Sequence, residues 1–263
     1  MTWRLTVPRY AVPPALLLLA ACEMRPFQPP QNEAEPPPAN IATPAPAPTA
    51  AAPEPLLDRE AILVAAIRAR SAAMTGADDR AAQAALDGRR FAFRIRLGCG
   101  LSQAPDAPVR FDPATRRVEL NIVPDLTAES PVAAAIGADG YEAVEGFWVA
   151  DPWVLTPHCG SGASAAVPVG IAQFFSAEEP RTARRDGRPY QARQDFAGGG
   201  LPGPGDWELV LTGRLARLAD GRAIQCRAPN PEQGPVCIVS VRFDQVEIVN
   251  RHSGRQLAQW RSG

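Results

Sequence analysis

From residue 91 onward the chain consists largely of short stretches in which apolar and polar side chains alternate. In the first stretch the apolar side chains fall at every second position, and they are Phe91, Phe93, Ile95 and Leu97. Successive side chains of a β-strand point to opposite faces, so this spacing predicts a strand with one buried and one charged face. Two more alternating runs within residues 109–122 flank Pro113. A proline at the second position of a turn predicts a hairpin there.

The same pattern recurs toward the C-terminus and decides the predicted fold class. We expect further strands at residues 146–149, 167–175, 207–218, 222–226, 236–249 and 256–260. Asp220 precedes Gly221, and Ser253 precedes Gly254. Both pairs are typical of tight turns, and they lie between the last of these predicted strands. Many short strands joined by turns predict an α+β fold that is mostly β. We expect an antiparallel sandwich or barrel-like sheet with short N-terminal helices packed on it.

An alanine-rich segment that precedes the strands has helical spacing. Its large apolar side chains recur with a helical period, and they are Leu57, Val64, Ile67 and Met74. Gly76 is typical of the end of this helix, and Gly88 of the end of a second short helix at residues 78–87. We expect the apolar face of these helices to pack on another part of the molecule.

Proline is concentrated in residues 26–55 of a chain that holds 29 prolines among 263 residues. Such a composition cannot bury enough apolar surface to offset the entropy of the chain, so it predicts a disordered tether. In polyproline II geometry, at about 3.1 Å per residue, the segment would reach at most about 90 Å. A ligand for a proline-recognition module is the alternative interpretation of this segment.

The first 22 residues have the pattern of an export signal. Arg4 and Arg9 precede an apolar run at residues 15–21, which is too short to span a bilayer. The run ends directly before Cys22, and residues 19–22, Leu-Ala-Ala-Cys, resemble the lipobox of bacterial lipoproteins. An ordinary secretory signal or a short membrane anchor is the alternative.

The lipobox resemblance implies that Cys22 is acylated and becomes the first residue of the mature chain. The predicted organisation is then a signal peptide at residues 1–21, a lipidated cysteine and proline- and alanine-rich tether at residues 22–55, and a globular domain at residues 56–263. In lipoprotein families an aspartate after the cysteine is the usual signal for retention in the inner membrane. Glu23 stands there instead, which favours the outer membrane.

Four cysteines besides Cys22 remain for the domain, and they are Cys99, Cys159, Cys226 and Cys237. An exported chain meets an oxidising compartment, so the even number predicts two disulfides. Of the three pairings, the short separation of Cys226 and Cys237 favours a bridge between them, which leaves Cys99 with Cys159. These spacings match no zinc pattern and include no C-x-x-C pair, so we expect no metal and no cofactor.

One segment offers residues for catalysis. His158 adjoins Cys159 and precedes Ser161 in a loop of small residues, and Asp151 lies a few positions earlier. Histidine with serine is a base–nucleophile pair, although a turn beside a disulfide is the favoured interpretation. Carboxylates for glycoside chemistry could come from the group Asp139, Glu142, Glu145 and Asp151.

Two further groups are candidates for binding. Four arginines crowd into residues 180–189, and they are Arg181, Arg184, Arg185 and Arg188. They could meet an anionic lipid or polymer, but a solvated connector is the favoured interpretation. Trp148 and Trp153 could stack on a sugar ring, although aromatic side chains in such a position more often fill a core. The glycine-rich segment at residues 196–205 leads into a strand, so it predicts a connector or a lid and no dinucleotide site.

The sequence therefore predicts a membrane-anchored cell-envelope lipoprotein facing the periplasm, whose disulfide-bonded, β-rich domain is a binding or scaffold module. An envelope protein, a lipid or a wall polymer are the expected classes of partner. The formal net charge of −1 argues against nucleic acid. Two alternatives stay open: an envelope hydrolase that uses carboxylates or His158 with a nearby serine, and a structural anchor or spacer.

Overall fold

The computed structural model describes residues 54–97, 107–149, 169–196, 207–230 and 232–261, apart from the side chain of Asp139. Within these ranges a larger sheet contains seven strands: β1 (Arg90–Leu97), β4 (Ala143–Val149), β5 (Val169–Phe175), β7 (Trp207–Leu215), β8 (Ile224–Arg227), β9 (Val236–Asn250) and β10 (Gln256–Arg261). A smaller sheet contains three: β2 (Val109–Asp112), β3 (Arg117–Ile122) and β6 (Tyr190–Asp195). This mostly β architecture confirms the predicted fold class.

Strand β9 is the centre of the larger sheet. Its first half pairs with β8 and β5, and its second half pairs with β7 and β10. The main path through the sheet is β1-β7-β9-β5-β4, and the smaller sheet has the order β2-β3-β6. The pairing of β5 with β9 is parallel, so the larger sheet is mixed where a fully antiparallel sheet was predicted.

The pairing of β7 with β9 contains a bulge. Thr212 lies opposite Gln245, whereas the next residue, Gly213, lies opposite Phe243. Asp244 is thereby the extra residue on β9. A bulge of this kind bends a strand and increases its twist, and it falls where β9 exchanges one set of partners for the other.

Helix α1 (Arg59–Thr75) packs on the larger sheet. The carboxylate of Asp58 caps its first turn by accepting a hydrogen bond from the backbone N–H of Ala61 at 2.9 Å. Gly76, with φ of 72°, ends the helix as predicted because this left-handed conformation suits glycine. The buried face consists of Ile62, Leu63, Ala66 and Ala69.

The predicted apolar face of α1 was wrong in its register. Val64, Ile67 and Met74 are 39%, 56% and 65% exposed, and they lie on the solvent side. Leu57 precedes the helix and forms a bridge with Phe91 of β1. Small alanine side chains let the helix axis approach the sheet closely, so the face that packs is marked by alanine and not by the largest side chains.

Two shorter α-helices are present in the described residues besides α1. Helix α2 (Arg80–Ala84) lies within the predicted second segment, whereas α3 (Pro131–Ala135) was not predicted. Gln83 of α2 is buried, and its Oε1 accepts a hydrogen bond from the backbone N–H of Ile224 at 2.9 Å. This contact covers part of the edge of β8, whose ladder partner is β9.

The disulfide between Cys226 and Cys237 is present, as the sequence predicted. The two residues lie directly opposite each other on β8 and β9, and both are buried. The bridge therefore fixes the register of a hairpin at the start of the central strand. The predicted partners Cys99 and Cys159 lie outside the described residues, as do Cys22, the signal peptide and nearly all of the tether.

Replacing both Cys226 and Cys237 by alanine should lower the free energy of unfolding by about 2 to 3 kcal/mol, because the unfolded chain regains the freedom of a short closed loop. Urea unfolding followed by tryptophan fluorescence measures this change. An unchanged unfolding midpoint would contradict it. If reductant lowers the midpoint of the double variant further, a second bridge is present, as expected for Cys99 and Cys159.

Candidate functional site

A cleft of about 110 Å³ lies where the two sheets meet. Its walls come from β4, β5, β9 and β10 of the larger sheet and from β6 of the smaller one. One side is formed by the arginine loop, which we define as residues 180–189. Strands β6 and β10 are in contact beside it, so the cleft depends on the packing of one sheet against the other.

Five aromatic residues from five strands line the cleft, and they are Phe147, Phe175, Tyr190, Phe243 and Trp260. Phe147 of β4 and Tyr190 of β6 have ring centroids 5.8 Å apart, and Tyr190 meets Trp260 of β10 edge-to-face at 5.0 Å. Burial raises the pKa of Tyr190 to about 12, so its phenol is neutral at physiological pH. The rings give the cleft apolar walls and join the two sheets.

Two carboxylates hold the arginine loop, Glu142 directly before β4 and Glu145 within β4. Glu142 accepts hydrogen bonds from Arg184 at 2.8 Å and from Arg181 at 2.9 Å. Glu145 accepts from the backbone N–H groups of Arg185, at 2.9 Å, and of Asp186, which has a positive φ of 51°. The loop is thus anchored through side chains at one end and through its backbone at the other.

Arg184 is the most buried of the four predicted arginines, with 4% of its side chain exposed. Besides Glu142, it donates to the carbonyl of Ser176, and its guanidinium lies 5.6 Å from the ring centroid of Phe175. Among the described residues, its buried Nε has no hydrogen-bond partner. The hydrogen bond from Arg184 is the main cause that lowers the pKa of Glu142 to about 2.

Arg185 lies over the aromatic rings. Its guanidinium carbon is 4.1 Å from the ring centroid of Tyr190 and 5.8 Å from that of Trp260. Its Nε donates to the carbonyl of Arg188 at 2.9 Å, and its Nη2 donates to that of Pro189 at 2.7 Å. Stacking and two carbonyls together hold this side chain in one orientation.

The depressed pKa of Glu142 predicts a pH dependence of stability. Its contribution should be fully present above about pH 4.5, the ordinary pKa of glutamate, and should be lost as the pH falls through about 2. The variant Glu142→Gln should be less stable at pH 7, and its deficit should shrink across this window. Urea midpoints at pH 7, 4.5, 3 and 2 would measure it.

Glu119→Gln is the matched control for this series, because Glu119 pairs with Arg193 at 3.6 Å while 74% of the arginine side chain is exposed. Exposed pairs of this kind contribute little, so we expect its midpoints to follow the wild type within about 0.5 kcal/mol. A deficit of Glu142→Gln that does not change between pH 4.5 and 2 would contradict the assignment.

The structure brings together some of the predicted site residues and separates others. Arg184, Arg185 and Arg188 line the cleft, and they are tied to carboxylates, rings and carbonyls where a solvated connector was expected. Arg181 is 83% exposed and reaches the site only through Glu142. Trp148 faces away from the cleft and packs on a second apolar cluster. Four predicted residues lie outside the described residues: Asp151, Trp153, His158 and Ser161.

The sequence did not indicate Gln173, Tyr190 or Trp260 as site residues. Gln173 is 5% exposed, and its Oε1 accepts a hydrogen bond from the backbone N–H of Phe243 at 3.0 Å, which orients the amide at the wall of the cleft. The signal that could have found Tyr190 is its position at the end of the arginine-rich segment. Nothing local distinguishes Trp260 from an ordinary strand residue.

The carboxylates of the site are poorly suited to acid catalysis. Glu142, with its pKa lowered to about 2, stays ionised at neutral pH and cannot donate a proton there. Glu145 already accepts two backbone N–H groups. The cleft combines aromatic ring surfaces with oriented N–H donors, and this combination is typical of a binding site.

Two other hollows lack this combination. One, of about 170 Å³, lies between α1 and β8 beside small residues that include Ala69, Ala73 and Gly76. The other, of about 320 Å³, surrounds the turn between β2 and β3 and is lined mainly by exposed side chains. Neither joins buried charge to an aromatic wall, so the cleft is the better candidate.

Comparison with family models, curated proteins and solved structures finds no match for the chain. In the described ranges, no helix is long and apolar enough to cross a membrane. The same part of the chain holds no group of three or more histidine, cysteine, aspartate or glutamate side chains placed to bind a metal ion.

Proposed function

We propose that this chain is a cell-envelope lipoprotein whose β-rich domain is a binding module, and that the cleft is its ligand site. The observation that carries the proposal is that a group of three contacting aromatic rings and the oriented guanidinium of Arg185 line one cavity between two sheets. Oriented polar groups in an apolar concavity are characteristic of recognition sites.

The size of the cleft favours a large partner over a small free ligand. Its volume of about 110 Å³ is well below the roughly 300 to 1,000 Å³ of sites that enclose a whole drug-sized molecule. It fits one group of a larger molecule, in the manner of the central pockets that anchor macromolecular interfaces. We therefore propose that an envelope protein or a wall polymer inserts one group there.

Photo-cross-linking in intact envelopes tests the binding function. A benzophenone amino acid at Thr182, an exposed residue lining the cleft, should capture one discrete partner. The same group at Arg90, an exposed position of β1, is the control. Identical products from both positions, or none from Thr182, would contradict a binding site in the cleft.

The proposed anchor is the acylated Cys22, with residues 22–55 as tether and the outer membrane as the favoured location. Metabolic labelling with palmitate should mark the wild-type chain and leave Cys22→Ser unlabelled. Fractionation of the two membranes then tests the location. Equal labelling of both proteins would exclude acylation at Cys22.

A further inference from the structure

We propose that the cleft binds a carboxylate group and that the guanidinium of Arg185 recognises it. This inference rests on the proposed function, because it takes the cleft as the ligand site. The ligand chemistry that we infer is a carboxylate on an apolar stem, as at the C-terminus of a peptide.

The charge of the cleft is the first argument. The charged side chains that line it are Arg184, Arg185, Arg188, Arg261 and Glu145. Glu145 directs its oxygens to backbone N–H groups of the arginine loop. In the described ranges the loop arginines that form ion pairs are Arg181 and Arg184, while Arg185 and Arg188 form none. Within these ranges the cleft therefore carries more positive than negative charge, and Arg185 and Arg188 are not paired with a carboxylate.

The orientation of Arg185 is the second argument. A guanidinium has five N–H donors in a fixed plane. Arg185 donates two of these N–H groups to the carbonyls of Arg188 and Pro189, and the face of its guanidinium lies over the ring of Tyr190. Within the described residues its Nη1 makes no hydrogen bond. A partly used, immobilised guanidinium beside a cavity is prepared to receive a planar anion with little loss of side-chain entropy.

The small volume of the cavity and the charge of Glu145 favour a carboxylate over a phosphate. A carboxylate is planar and monoanionic, whereas a phosphate carries more charge and would meet Glu145 in a space of about 110 Å³. Phe147, Tyr190 and Trp260 offer rings to the stem that bears the carboxylate. Such ring surfaces suit the last side chain of a peptide.

The test uses the full-length, ¹⁵N-labelled protein, with the indole N–H signal of Trp260 assigned from Trp260→Phe. The probes are N-acetylphenylalanine, its amide, and N-acetylmuramic acid. We expect N-acetylphenylalanine to shift this signal and to bind at least about tenfold more tightly than the amide, since a charged hydrogen bond is lost with the amide. N-acetylmuramic acid should bind more weakly than N-acetylphenylalanine.

Two variants locate the interaction. Arg185→Gln should weaken binding of N-acetylphenylalanine at least about tenfold, and Arg185→Lys should recover only part of the loss because it keeps the charge without the planar fork. Arg214→Gln, an exposed arginine of β7 outside the cleft, should bind as the wild type does. Unfolding midpoints of all variants show whether the arginine loop is intact, and the comparison of acid with amide needs no variant.

The outcomes separate this inference from the proposed function. Equal affinity for acid and amide would overturn the carboxylate assignment and leave the cleft as a ligand site. Tighter binding of N-acetylmuramic acid would overturn the peptide stem. If no probe shifts Trp260 while Thr182 still cross-links to a partner, the inference fails alone. If both experiments are negative, the proposed function fails with it.

Discussion

Replacing Gly213 by alanine should lower the free energy of unfolding by at least about 3 kcal/mol, the upper end of the range for overpacking. A Cβ atom at this position would overlap the carbonyl oxygen of Arg242 and lie 3.0 Å from the Cα atom of Phe243. Both are backbone atoms of β9, so no side-chain rotation can relieve the contact. The only relief is to open the pairing of β7 with β9 at the bulge.

Gly213 also lies between two aromatic residues. Its cross-strand partners are Phe91 of β1 and Phe243 of β9, whose rings meet edge-to-face 6.4 Å apart. Because Gly213 has no side chain, no side chain lies between Phe91 and Phe243 at this position. A side chain at residue 213 would therefore disturb three strands together.

Gly140→Ala is the matched control for Gly213→Ala. It adds the same methyl group where nothing lies within 4 Å and the backbone does not require positive φ. Its effect should be within about 0.5 kcal/mol of zero. Urea unfolding of both variants measures the contrast, and similar midpoints for the two would show that the close approach of β7 and β9 is not needed for stability.

Trp207→Ala should lower the free energy of unfolding by about 3 to 5 kcal/mol, the usual cost of removing a large aromatic side chain from a core. Trp207 is 1% exposed and belongs to the main apolar cluster at the first position of β7. Its loss leaves a cavity that the paired strands around it cannot fill. Circular dichroism during thermal unfolding should show a marked fall in Tm.

Trp260→Ala provides the contrast within the same residue type. Trp260 is only partly buried and lies at the rim of the larger sheet in β10. Its removal should cost clearly less stability than that of Trp207, and it should affect the cleft. Equal losses from both substitutions would mean that the partly buried ring is as important to the core as the enclosed one.

The strands could be predicted well because their cause is local. In β1 the buried residues fall at alternate positions as the sequence indicated, and the two strands of the 109–122 hairpin, β2 and β3, are also present. Strand β6 was missed because only Tyr190 and Ala192 are apolar in its six residues. What makes it a strand is its pairing with β3, which its own sequence does not show.

The packing face of α1 and the parallel pairing of β5 with β9 were not predicted, because both depend on contacts between distant parts of the chain. In α1 the packing face is chosen by the approach of alanines to β8 and β9, so the spacing of the largest side chains was misleading. The parallel contact of β5 with β9 joins segments about seventy residues apart, such as Val169 with Cys237. Alternation within a strand carries no information on which neighbour it takes or in which direction.

The candidate site could be predicted only in part. The four arginines are close together in sequence and were recognised, but the carboxylates that hold their loop, Glu142 and Glu145, lie about forty residues away, directly before β4 and within it. Neighbouring residues of a strand point to opposite faces of the sheet, so only one of Phe147 and Trp148 can reach the cleft. The sequence gives no means of choosing between them, and the fold selects Phe147.

The position of β9 after most of the strands of its sheet has a consequence for folding. During synthesis from the N-terminus, β1, β5, β7 and β8 are made before the strand that joins them into one sheet, because β9 begins only at Val236. Until β9 is available, edges of β5, β7 and β8 lack their hydrogen-bonding partner. Such edges are prone to associate with other chains. The larger sheet can therefore close only after β9 has been made, and its earlier strands are open to association with other chains during that interval.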